Sequence, residues 1–139
     1  MAAGYNPNVA CWSPYHGGMY AVVESVCRAA ALGADPSKLR LSMQEYFPKL
    51  HDSKHWGQPL SALLGAYEAC CELGLPAIGG KDSMSGTFMD LEVPPSLISF
   101  AVASWMVGTR FPMNSKKPVI PWYSCLLAVM NMKSLITTP

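Results

Sequence analysis

Apolar and polar positions follow two different rhythms along this chain. Over Gly17 to Leu32, the residues Met19, Val22, Val23, Val26, Ala29 and Ala30 recur at helical spacing, the pattern of a helix with one covered face. Gly33 is placed to stop that helix, and Asp35-Pro36 opens the next turn. Leu39, Leu41 and Met43 then alternate with Arg40 and Ser42, which predicts a strand covered on one side. The stretch from Lys49 to Lys54 reads as polar loop. A second helix is expected from about Gln58 to Leu73, with Leu60, Leu63, Leu64, Tyr67, Ala69, Cys70 and Cys71 on a broad apolar face. Pro59 suits its first turn and Gly74 its end. Leu75 to Ile78 reads as a short strand, Asp90 to Pro95 as a turn, and Ser96 to Ala103 as an unbroken apolar strand buried on both faces. Met1 to Pro14 has Gly, Asn and Pro without periodicity and reads as an irregular lead-in. The order helix, strand, helix, strand, strand places the chain in a mixed α and β class. Strands this few and short leave open sheet edges, so partner strands are expected outside this stretch.

Composition narrows the class. In 139 residues, half of them hydrophobic, the formal net charge is +1, which suits neither a disordered chain nor a nucleic-acid-binding surface. The apolar runs around Ile98 to Val107 and Val119 to Met130 are shorter than the ~20 residues a bilayer requires, so no membrane partner is expected. None of the five cysteines forms a CxxC pair, and Cys70-Cys71 falls in the second helix, which fits a reduced, cytoplasmic setting. Charge is unevenly spread: all nine carboxylates lie between Glu24 and Glu92, while Arg110, Lys116, Lys117 and Lys133 remain after Trp105.

The run Gly79-Gly80-Lys81-Asp82-Ser83-Met84-Ser85-Gly86-Thr87-Phe88 carries the most chemistry. Following an apolar strand, it is expected to be a glycine-rich loop. Its glycines let backbone N–H groups approach an anion, and Lys81 and three hydroxyls add charge and donors, the chemistry of a phosphate cradle. A strand-to-strand turn with a paired lysine explains the composition equally well. The histidines are weaker candidates. His16 sits at a helix start, and His51 and His55 fall in the polar loop, where solvent exposure is expected. Cys70 and Cys71 lack the histidine neighbourhood of a thiol nucleophile.

Several motifs in order carry a resemblance. Trp12-Ser13-Pro14-Tyr15-His16-Gly17-Gly18, Ala21-Val22-Val23-Glu24-Ser25, Gln44-Glu45-Tyr46-Phe47, Trp56-Gly57-Gln58-Pro59, Gly79 to Phe88 and Val93-Pro94-Pro95-Ser96 resemble the phosphoribosylformylglycinamidine synthase family over roughly residues 3 to 104. The resemblance implies a fragment from the second AIR-synthetase-like half of that enzyme. The implied fold is a partial α+β domain of AIR-synthetase N-terminal type, a mixed sheet with two main helices on one face. The family converts formylglycinamide ribonucleotide, ATP and glutamine-derived ammonia into formylglycinamidine ribonucleotide with Mg²⁺. The implied partners are those substrates, a complementary AIR-synthetase-like half and a glutaminase domain.

Carried over by position, the resemblance implies Glu24 as a carboxylate ligand to Mg²⁺. Where several members have an Asn one turn later, this chain has Arg28, which cannot bind a metal but can meet a phosphate. Gly79, Gly80, Lys81, Asp82 and Ser83 are implied to face nucleotide or substrate, with Lys81 standing where small relatives carry a metal-binding Asn. The family's catalytic histidine belongs to its first half, and the glutaminase cysteine triad has no counterpart here, so no catalytic residue is assigned. The fragment is expected to be inactive alone. A non-catalytic assembly module that pairs through an open sheet edge is the alternative.

Residues 105 to 139 lose the resemblance, and a frameshift near Ser104 would explain that. Shifting by one base, Trp105-Met106 forces an Asp codon, while Met113-Asn114, Met130-Asn131 and Met132-Lys133 each force Glu. One permitted reading after Pro112 gives EFKKAGN and an apolar strand, similar to the family's continuation. The chain is thus divided into 1–104, the family-like domain, and 105–139, a tail out of frame.

Overall fold

The computed structural model describes residues 1–104. Six strands and three helices follow one another as β1 (Ala2–Gly4), α1 (Pro7–Trp12), α2 (Pro14–Ala31), β2 (Arg40–Tyr46), α3 (Ser53–Leu73), β3 (Ala77–Ser83), β4 (Thr87–Phe88), β5 (Leu91–Glu92) and β6 (Ser96–Val102), with a 3-10 turn at Pro36–Lys38. The main sheet has the order β1-β6-β2-β3, and β4-β5 form a separate two-stranded ribbon. β6 runs antiparallel to both neighbours, whereas β2 and β3 are parallel and joined by α3 as a crossover. The mixed sheet with two long helices bears out the class expected from periodicity.

Residues facing α2 and α3 form the core. Val22, Val26, Leu39, Leu41, Phe47, Ala62, Ala66, Leu97 and Ala101 are all buried there. Register places Leu41 beside Ala101, Met43 beside Ser99 and Glu45 beside Leu97 on the helix-covered face. Ser42, Gln44 and Tyr46 point to the other face, with Phe100, Ile98 and Ser96 as their partners. Helix α2 packs against β1 and β6, and α3 packs chiefly on α2. Their backbones approach closely at Gly18 and Gly65: a Cβ on Gly18 would strike the Ala62 carbonyl, and one on Gly65 the Tyr15 carbonyl. A buried hydroxyl pair, Ser25 Oγ and Ser99 Oγ at 3.0 Å, links α2 to β6, and Ser25 also donates to the Val22 carbonyl at 2.9 Å.

Several boundaries differ from the sequence reading. The irregular lead-in contains β1 and α1: the Asn6 side chain caps α1 by accepting from Asn8 and Val9, with Pro7 following. Ser13 caps α2 in the same manner, accepting from the His16 N–H and meeting His16 Nδ1 at 2.8 Å. Helix α3 starts at Ser53, not Gln58, because Asp52 caps it through the His55 N–H at 2.8 Å. Pro59 is thereby an interior residue, and the Pro ring removes the donor that would have reached the His55 carbonyl. β6 is not buried on both faces: Leu97, Ser99 and Ala101 are buried, whereas Val102 is exposed. The loop expected after Ile78 is also different, and that difference shapes the site. The tail from 105 onward lies outside the described residues.

Candidate functional site

The glycine-rich run is an edge strand. Gly79 to Ser83 belong to β3 and pair in parallel with β2, Ser42 beside Gly79 through Tyr46 beside Ser83. Residue counting slips by one between Leu41 and Ser42, so β3 carries a bulge at Ile78. The glycines are required by that backbone. Gly79 has φ 147°, outside the range L side chains adopt, and a Cβ on Gly80 would strike the Met43 carbonyl. Sheet geometry therefore accounts for the two glycines that read as anion contacts in the sequence.

The remaining residues of the run divide between faces. Lys81 lies beside Gln44 on the helix-free side, and Gln44 Nε2 donates to the Lys81 carbonyl at 2.8 Å. The Lys81 ammonium is exposed and donates to the Asp82 carbonyl at 2.5 Å. Asp82 lies beside Glu45 on the helix-covered side. After Ser83 the chain folds back over the end of β2: Phe47 N–H donates to the Ser83 carbonyl at 2.8 Å, and Gly86 N–H to the Phe47 carbonyl at 3.0 Å.

Glu24 and Arg28 sit over the opposite edge of the sheet. Glu24 Oε2 accepts from the Tyr5 N–H at 2.8 Å, and its Oε1 lies 2.6 Å from Arg28 Nη2. Arg28 Nη1 also donates to the Ala3 carbonyl at 2.8 Å. Three strand spacings, ~14 Å, separate the β1 edge from the β3 edge, so Glu24 and Lys81 are not brought into one pocket. Mg²⁺ does not fit at Glu24 in this arrangement. Both carboxylate oxygens are engaged, and a guanidinium stands one helical turn away where a neutral ligand would be needed.

Sequence reasoning passed over Glu45. Its side chain is 2% exposed, and neither carboxylate oxygen has a hydrogen-bond partner among the described residues. Burial, with a smaller contribution from the Asp82 carboxylate, pushes Glu45 up to about 7. Alternation could have found it, because Glu45 continues the Leu39, Leu41, Met43 series onto the covered face.

Between α3 and the start of β3 lies an apolar groove of about 540 Å³, lined among others by Met43, Leu63, Tyr67, Cys70 and Ala77. Burial pushes the Cys70 thiol up, which suits packing rather than nucleophilic work. No helix among the described residues is long and apolar enough to cross a membrane.

No family profile matches the chain. It is 27% identical over 129 residues to the phosphoribosylformylglycinamidine synthase subunit PurL of Thermotoga maritima, covering 88% of this chain and 18% of that protein. The matched share runs past Ser104. Among solved structures, T. maritima PurL complexed with AMPPCP superposes with a TM-score of 0.60 at 24% identity, covering 71% of this chain and 16% of that one. T. maritima PurL complexed with FGAR gives a TM-score of 0.59 at 26% identity, over 70% of this chain and 15% of that one. The chain thus has the AIR-synthetase-like fold of a PurL segment, and it spans less than a fifth of its curated relative.

Proposed function

We propose that this chain is a piece of the second AIR-synthetase-like half of a phosphoribosylformylglycinamidine synthase, working in cytoplasmic purine biosynthesis only as part of a larger assembly. The observation that carries this reading is the coincidence of ordered sequence motifs with the fold. The stretch that carries the family's motifs is also the stretch that forms the PurL-like α+β unit. In the longer enzyme, ATP and formylglycinamide ribonucleotide are the small-molecule partners, and a complementary half and a glutaminase domain are the protein partners. Gly79, Gly80, Lys81, Asp82 and Ser83 are proposed to line a nucleotide or substrate pocket there. The exposed Lys81 ammonium, next to backbone that no neighbouring strand among the described residues has claimed, supports that role. Arg28 is proposed to act on phosphate directly.

Purified chain, assayed for ATP- and ammonia-dependent formation of formylglycinamidine ribonucleotide, is expected to show no turnover. Turnover by the chain alone would overturn the fragment reading. The tail from 105 to 139 is read as out of frame, and the encoding DNA tests this. A single-base gain or loss near codon 104 is expected to restore the carboxylates missing after Glu92; an intact frame overturns it.

A second reading is favoured by one observation: β3 is exposed along its length and, among the described residues, has a strand on one side only. The chain would then be a non-catalytic assembly module that pairs through this edge. Light scattering during size exclusion decides, with a stable complex between this chain and a complementary half expected if pairing is its role.

A further inference from the structure

Beside the capped end of α3, four side chains from two distant segments converge. Ligand atoms of His51, Asp52 and His55 lie within 4.8 Å of one another. His51 Nε2 is 3.5 Å from Asp52 Oδ2, and His55 Nε2 is 3.9 Å from Glu92 Oε1 on β5. The two imidazole rings stack with centroids 4.0 Å apart and planes 37° from parallel.

The hydrogen bonds assign the tautomers. His51 Nδ1 faces the Lys49 carbonyl at 2.9 Å, an acceptor, so it carries the proton and donates. His55 Nδ1 lies 2.7 Å from Asp52 Oδ1 and donates likewise. Each ring therefore turns its Nε2 toward a carboxylate oxygen. Between a carboxylate oxygen and a ring nitrogen, either an imidazolium proton or a metal ion supplies the attraction. The separations of 3.5 and 3.9 Å are long for hydrogen bonds. The 3.5 Å pair matches the ~3.4 Å between neighbouring donors of a tetrahedral ion with ~2.0–2.1 Å bonds, and small side-chain rotations bring in the 3.9 Å pair and the 4.8 Å spread of the His51, Asp52 and His55 ligand atoms.

We propose that His51, Asp52, His55 and Glu92 form a site for a divalent transition-metal ion, with Zn²⁺ as the ion that two imidazoles and carboxylate oxygens suit best. The Lys49 carbonyl and Asp52 Oδ1 are then the outer partners that hold the ligating rings in orientation. The positive end of α3 opposes a cation here, but it amounts to roughly half a charge against two carboxylates. The ligand segments are already in register, because Lys49 N–H donates to Thr87 Oγ1 at 3.0 Å and Phe47 is bonded to both Ser83 and Gly86. Bound metal would clamp the β4-β5 ribbon to the start of α3. This site is independent of any nucleotide chemistry.

The test is Co²⁺ and Zn²⁺ titration of the full chain, with absorption spectra and calorimetry. One equivalent is expected, with visible d–d bands and no thiolate charge-transfer band. His51→Ala and Glu92→Gln alter exposed residues, and circular dichroism checks that each still folds. Each is expected to weaken binding roughly tenfold or more. Three outcomes overturn the proposal: no saturable binding, which would leave only imidazolium–carboxylate pairs; affinity unchanged in both variants; or a thiolate spectrum abolished by Cys70→Ser or Cys71→Ser.

Discussion

Arg28 closes on Glu24 from one helical turn away, Nη2 to Oε1 at 2.6 Å, while Tyr5 N–H occupies the other oxygen. The carboxylate that resembles a metal ligand is used to hold β1 against α2. Arg28→Ala should therefore cost about 1 kcal/mol, the scale of one exposed ion pair and one hydrogen bond. Arg28→Asn should cost a similar amount and free Oε1. Urea unfolding measures the first effect. Mn²⁺ binding followed by electron paramagnetic resonance measures the second, with Arg28→Asn expected to hold one weakly bound ion more than the parent chain.

Glu45 makes stability fall on the alkaline side. Its folded value near 7 is above the 4.5 of the unfolded chain, so the folded state holds the proton more tightly. The stability this provides is complete below pH 4.5 and is lost as pH rises through about 7. Glu45→Gln should flatten that window and leave the variant more stable at pH 8, by up to about 3 kcal/mol. Asp82→Asn should recover only a minor part, since burial is the larger cause. Urea midpoints at pH 5 and pH 8 give the comparison.

Asp52 acts in the opposite direction. The His55 backbone N–H and the His55 ring, in that order, hold its carboxyl down at about 2, against 3.8 unfolded. Its contribution is present above pH 3.8 and is lost as pH falls toward 2. Asp52→Asn keeps a capping oxygen and should remove this acid limb, as read from unfolding curves between pH 2 and pH 5.

Two glycine substitutions should have opposite signs. Gly79→Ala forces a side chain onto φ 147° and should cost about 1–3 kcal/mol. Gly57→Ala, inside α3 with open space around its Cα, should stabilise by about 1 kcal/mol. Thermal melts of the two variants against the parent check both.

Helix α3 presents Trp56, Leu60 and Tyr67 to solvent, 62%, 60% and 68% exposed. Leu60→Lys should raise solubility and reduce binding of a hydrophobic dye, while changing stability by less than about 0.5 kcal/mol. A larger loss of stability would mean that this face is covered in the folded chain.

Both long helices and the class of the sheet were legible, because each long element repeats its period several times. Short elements carry no such signal: three residues of β1 and six of α1 become ordered through β6 and through the Asn6 cap. The glycine-rich run misled as to element type, loop for strand, since a strand bulge and an anion loop both select residues without a Cβ. Glu24 was legible as a residue and not as a role, for pattern cannot show that Tyr5 and Arg28 occupy its oxygens. The cluster at His51 was hidden because Glu92 arrives from a ribbon far along the chain.

The pairing of Ala2 with Ala101 also sets an order of events in synthesis. β1 is made more than ninety residues before β6, the strand it needs, and that same strand separates β1 from β2 in the sheet. The two helices and the β2-α3-β3 crossover can form on the ribosome as local structure, but the sheet cannot close until β6 has emerged. Closing so long a loop is entropically slow, so the exposed edges of β1 and β2 wait unpaired until β6 is made. Any nascent chain stopped before Ser96 would carry an orphan β1 and an open edge on β2, with no strand to join them.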